Sequence, residues 1–157
     1  MKRKEEKIIV LKEIAHRFNE AGIVWALGAS MLLYFKGITS DFHDIDLMVG
    51  NENADQARKI LLEMGCMVPS EPDTRCQSRI FMEFVIDGVD VDVMVGFTIV
   101  CDHKRIDCSL QKDQIAEILD VDGEQIPLQS VEQWCEYYRL MGRTEKVKMI
   151  ERSLASK

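Results

Sequence analysis

Two short runs of this chain put carboxylates where carboxylates are costly. Asp44-Ile45-Asp46 opens an apolar run that ends at Val49, and Val89-Asp90-Val91-Asp92-Val93 repeats the alternation. Side chains on a strand point to alternate faces, so Asp44 and Asp46 share a face, as do Asp90 and Asp92. If the two strands lie side by side, three or four carboxylates converge. Like charges at close range raise one another's pKa, and a divalent cation relieves the repulsion. Mg²⁺, or Mn²⁺ in its place, takes a few carboxylate oxygens together with substrate phosphates. Metals held this way activate a hydroxyl and stabilise a leaving phosphate. The competing reading is two pairs of solvated acids on an exposed face. Asp90, two residues past Asp87-Gly88, fits that reading, while Asp92 sits deeper in its run.

Upstream, Gly28-Ala29-Ser30 lies between a β-rich stretch, Ile23-Val24-Trp25-Ala26-Leu27, and a helical one. A tight strand-to-helix turn presents backbone N–H groups that suit a phosphate. Gly28 allows close approach, and the Ser30 hydroxyl adds a donor. An ordinary turn with a helix cap has the same composition, so the weight of this turn comes from its place just before Asp44.

The elements that must position these residues follow from periodicity. Ile8, Leu11, Ile14, Ala15 and Phe18 form a helical stripe over 4 to 20, stopped at Gly22. A strand is expected over 23 to 27, a helix over 29 to 35 ended near Gly37, and a strand over 44 to 49. A helix capped by Asn51 or Asn53 should run to about Met64 and stop at Gly65. Residues 69 to 78, with two prolines, read as a loop. Two strands flank Asp87-Gly88, a strong hairpin signal, and a weaker hairpin surrounds Asp122-Gly123. Ser130 with Gln133 opens a helix to about Met141, Gly142-Arg143 breaks it, and a last helix starts near Thr144. The order implies an α+β domain with a mixed sheet flanked by helices, one domain over 1 to 157 with C-terminal helices from about 130.

Composition narrows the classes. The chain has 157 residues, 46% hydrophobic and 30% charged, with a formal net charge of −7. That balance argues against broad binding of nucleic-acid backbone, which needs clustered Lys and Arg. No apolar run reaches the ~18 residues of a membrane span, and the N-terminal stretch lacks the apolar core of a signal peptide, so no membrane association and a cytoplasmic location are expected. The five cysteines include no C-x-x-C and read as reduced thiols. His16 reads as surface, His43 as facing away from the acids and His103 as part of a loop. Trp25 and Trp134 read as core.

The set Leu27-Gly28-Ala29-Ser30, a short helix, Asp44-Ile45-Asp46-Leu47 and a later Val91-Asp92-Val93 resembles the nucleotidyltransferase superfamily, in particular its minimal MNT-type domains and small lincosamide and aminoglycoside nucleotidyltransferases. The tail from Ile126 to Leu154, with Gly142-Arg143, resembles the family's helical tail. Two departures stand out: Ala29 in place of the commoner second Gly or Ser, and Val147 where the tail often carries an acid after Lys146. The resemblance implies a nucleotidyltransferase-like fold and transfer of an NMP from an NTP to a hydroxyl on a small molecule or protein. It implies Asp44, Asp46 and Asp92 as metal-binding and catalytic carboxylates, Gly28 and Ser30 at the triphosphate, and Arg143 as a nucleotide contact, with Mg²⁺ or Mn²⁺ as the ion. Two alternatives stay open. One is a catalytically silent module of the same fold that works with a helical partner protein, as in toxin–antitoxin pairs. The other is an α+β interaction domain whose acids only keep it soluble.

Overall fold

A computed structural model describes residues 3–69 and 78–156. The expected loop over 69 to 78 falls almost wholly outside the described residues, as does Cys76. Helix α1 (Lys4–Glu20) buries Val10, Leu11, Ile14, Ala15 and Phe18. Gly22 in the left-handed region reverses the chain, and Ile23 N–H closes the turn on the Phe18 carbonyl at 3.0 Å. Strand β1 (Trp25–Gly28), helix α2 (Ala29–Phe35) and strand β2 (Ile45–Val49) follow as the sequence implies. Helix α3 (Ala54–Met64) has Asn53 at its cap, but the Asn53 side chain does not cap the helix; its Oδ1 accepts from Val24 N at 3.0 Å.

The short strand β3 (Cys66–Val68) leads to the hairpin β4 (Ile80–Ile86) and β5 (Val89–Val95) around Asp87-Gly88. A second hairpin, β6 (Thr98–Cys101) and β7 (Lys104–Asp107), occupies the stretch around His103 that reads as a loop in the sequence. Its turn carries two non-glycine residues at positive φ, Asp102 and His103, so the glycine that usually marks such a turn is missing. The hairpin β8 (Glu117–Val121) and β9 (Glu124–Leu128) closes on Asp122-Gly123. Helix α4 (Val131–Leu140) starts at Ser130, whose Oγ accepts from Gln133 N at 3.0 Å, and α5 (Thr144–Ala155) ends the chain.

Among the described residues, seven strands form one mixed sheet in the order β3-β4-β5-β2-β1-β9-β8. β2 runs antiparallel to β1 and parallel to β5, and β9 runs parallel to β1. One sheet face carries Trp25, Leu27, Ile45, Leu47, Val49, Val91 and Val93, all buried. α1 covers it, with the Phe18 ring edge-on to Trp25 at 5.6 Å, and α3 packs beside α1. The opposite face carries Asp46 and Asp92 and is partly covered by α4, whose Trp134 ring packs on Gly28. None of the described helices is long and apolar enough to cross a membrane.

Candidate active site on the carboxylate face

Register assembles the site. Asp46 on β2 is the direct partner of Asp92 on β5. On either side, Gly28 ends β1 opposite Asp46, and Glu83 on β4 stands opposite Asp92. Directly paired residues point to the same face, so Gly28, Asp46, Asp92 and Glu83 form one row across four adjacent strands. Asp44 occupies the bend just before β2 instead of its first strand position, and Asp90 is exposed.

The acids press on one another. Asp46 holds its proton well above the usual carboxylate range, first because burial disfavours its charge and then because Asp92 and Asp44 are negative neighbours. Burial, followed by Asp44, Glu83 and Asp90, pushes Asp92 up to about 7. Asp44 is raised by burial and Asp90, while His43 and Lys7 pull it down. His43 is exposed and stands at the rim beside Asp44.

Glu83 is the member that the sequence reading left out. The signal was present: a two-residue turn at Asp87-Gly88 fixes the hairpin register and so sets Glu83 opposite Asp92.

The donor set is all carboxylate oxygen, which fits a hard divalent cation, and a cation would offset the repulsion that raises all three aspartates. Among the described residues no three His, Cys, Asp or Glu side chains converge closely enough to hold an ion as they stand. Binding one therefore calls for side-chain rotation about the row.

A pH prediction follows from Asp92. Its folded pKa lies above its unfolded value of about 3.9, so between about pH 4 and 7 the folded chain binds more protons than the unfolded one. Stability without divalent cation should fall as pH rises through that window. Thermal melts at pH 5.5 and 8 in chelator should show the drop, and Asp92→Asn should shrink it.

The turn at Gly28 is packed from above by α4. A Cβ on Gly28 would meet the Trp134 indole at 2.5 to 2.7 Å, and the Gly28 φ of −130° is open to any residue. Glycine is therefore required here for the indole. Trp134 is 2% exposed and contacts the rings of Phe97, Tyr137 and Tyr138, so it is core, as expected, and also the roof of the Gly28 turn. One helical turn on, burial pushes the Tyr138 hydroxyl up, with Asp46 adding to the rise and Arg143 opposing it.

Arg143 itself stacks on the Tyr138 ring at 5.7 Å and pairs with Glu145 at 3.1 Å. It thus joins the roof by way of Tyr138.

Ala29 is more than an added methyl. Its φ is +54°, the left-handed region that costs a non-glycine residue about 1 kcal/mol. Strain of this kind gathers at functional sites. Ala29→Gly should raise stability by less than about 1 kcal/mol in a urea titration, because the added chain entropy offsets part of the strain that is relieved.

Comparison with known proteins agrees with this architecture. A sequence profile described as the C-terminal region of far upstream element-binding protein matches residues 132–156, a stretch that takes in most of α4 and all of α5. No curated protein matches the chain in sequence. Solved structures do match in shape. TM1012 of Thermotoga maritima, an attributed nucleotidyltransferase, is 23% identical and aligns over 99% of this chain and 97% of its own with a TM-score of 0.76. ANT(2'')-Ia in complex with adenylyl-2''-tobramycin is 13% identical, covering 96% and 90%, with a TM-score of 0.61. The lincosamide antibiotic adenylyltransferase LnuA, bound to lincomycin, is 11% identical, covering 95% and 96%, with a TM-score of 0.59. The chain therefore has the fold of the small nucleotidyltransferases, over nearly its whole length and nearly the whole of theirs.

Proposed function

We propose that the chain is a metal-dependent nucleotidyltransferase that moves an NMP from an NTP to a hydroxyl on a small molecule or protein. The observation that carries this is the row Gly28–Asp46–Asp92 on one sheet face, within a fold shared with adenylyltransferases. Asp44, Asp46 and Asp92 would hold Mg²⁺ or Mn²⁺, which supplies charge neutralisation at the phosphates. The backbone N–H groups of the Gly28–Ser30 turn and the Ser30 hydroxyl receive the β- and γ-phosphates. The acceptor oxygen forms its bond to the α-phosphorus as the bond to the bridging oxygen breaks. Pyrophosphate leaves with that electron pair, and the acceptor proton goes to the Asp92 carboxylate. Positioning and electrostatics provide most of the rate. Arg143 steadies the nucleotide end of the roof through Tyr138. The exposed thiol of Cys66 suits a reducing, cytoplasmic setting. Titration calorimetry with ATP, GTP, CTP and UTP, with and without Mg²⁺, tests the reading. Metal-dependent binding of at least one is expected, and no binding at millimolar concentration would overturn it.

A further inference from the structure

Gln129 follows β9, and its backbone N–H donates to the Leu27 carbonyl at 3.3 Å, just before Gly28. The parallel pairing of Leu27 with Leu128 puts Gln129 beside Gly28 and so extends the row Gly28–Asp46–Asp92–Glu83 by one residue. The side chain is 1% exposed. Its Oε1 accepts from the Trp134 indole Nε1 at 2.7 Å. An indole N–H only donates, so the carboxamide oxygen must face the indole and the NH₂ must face away from it. That Nε2 is buried and has no hydrogen-bond partner among the described residues. The indole that holds Oε1 is the group that roofs the Gly28 turn.

A buried donor without an acceptor is destabilising, and folded proteins rarely keep one. Here one hydrogen bond fixes the amide orientation, and the two N–H groups of a residue whose backbone adjoins the turn have no partner among the described residues. We propose that the Gln129 carboxamide is a phosphate-positioning donor: Nε2 donates to a phosphate oxygen of the nucleotide held at the Gly28–Ser30 turn, while Oε1 keeps Trp134 over Gly28. The inference rests on the nucleotidyltransferase reading. It assigns Gln129 to the polyphosphate and not to the base or the acceptor, because Gln129 adjoins the turn at the end of β1.

The test measures binding of Mg²⁺–ATP and of magnesium tripolyphosphate to the full chain and to two variants. Gln129→Met removes the donor at similar volume. Gln129→Glu keeps an oxygen for the indole and places an acceptor where the donor was. Each variant should lose at least tenfold in affinity for both ligands, as expected for one hydrogen bond to a charged group, while Mn²⁺ alone binds within twofold of wild type. Side-chain ¹⁵N NMR of the wild-type protein needs no variant: the Gln129 NH₂ resonances should shift and exchange more slowly when Mg²⁺–tripolyphosphate is added. If the wild-type chain binds neither ligand, the nucleotidyltransferase reading falls and this inference with it. If it binds them but the folded variants match wild type, or the resonances stay put, the inference alone falls and a buried water is the partner of Nε2. Loss of ATP affinity with tripolyphosphate affinity unchanged would likewise overturn the phosphate assignment.

Discussion

Asp46→Asn should abolish Mg²⁺-dependent nucleotide binding, and any transfer with it, while the protein stays folded. Asp46 sits in the middle of the carboxylate row, directly paired with Asp92 on one side and Gly28 on the other. Asparagine keeps the volume and one carbonyl oxygen but removes the charge that attracts a divalent ion. It also removes a charge that the folded state tolerates badly, since burial and two negative neighbours already push this carboxyl toward its protonated form. Without metal, the variant should therefore melt at the same temperature as wild type or higher. Adding Mg²⁺ should raise the wild-type midpoint by linkage and leave the variant unmoved. Equal metal-induced shifts in both proteins would place the ion elsewhere.

Gly28→Ala should cost about 1–3 kcal/mol of stability. The added methyl would lie 2.5 Å from Trp134 Cζ2, and neither side can give way easily. The strand is held by its pairing with β2 and β9, and the indole by Gln129 and three neighbouring rings. The cost should be specific to that contact. In a Trp134→Ala background, itself destabilised by about 3–5 kcal/mol, Gly28→Ala should become nearly neutral. Urea midpoints of the four proteins give the coupling, and additive losses would show that the collision is not the cause.

Much of this site was legible in the chain because it is written in period two. The alternations around Asp46 and Asp92 fixed which side chains share a face, and Asp87-Gly88 fixed the hairpin that carries Asp92. Glu83 was legible by the same turn arithmetic. What escaped is tertiary. Nothing local to Trp134 marks it as the group that makes Gly28 obligatory, and nothing local to Gln129 marks its buried amide. Both depend on α4 crossing the sheet and on β9 joining β1, which are pairings between distant parts of the sequence. The β6–β7 hairpin escaped because Asp102 and His103 adopt the turn without glycine. The nine strands among the described residues thus exceed the six that the alternation and turn signals imply, by β3, β6 and β7.

The outermost strands of the large sheet, β3 and β8, bear on self-association. A sheet edge presents unpaired backbone groups that can template pairing with a second chain. β8 exposes Ile118 at 59%, yet Glu117 and Asp120 stand on the same strand, and two copies meeting there would bring like charges together. β3 carries no charge and exposes Met67 at 40%. Its protection is brevity: three residues, with Pro69 immediately after, offer too short a ladder for a stable intermolecular sheet. The two edges of the sheet thus disfavour intermolecular pairing by different means, charge on one side and length on the other.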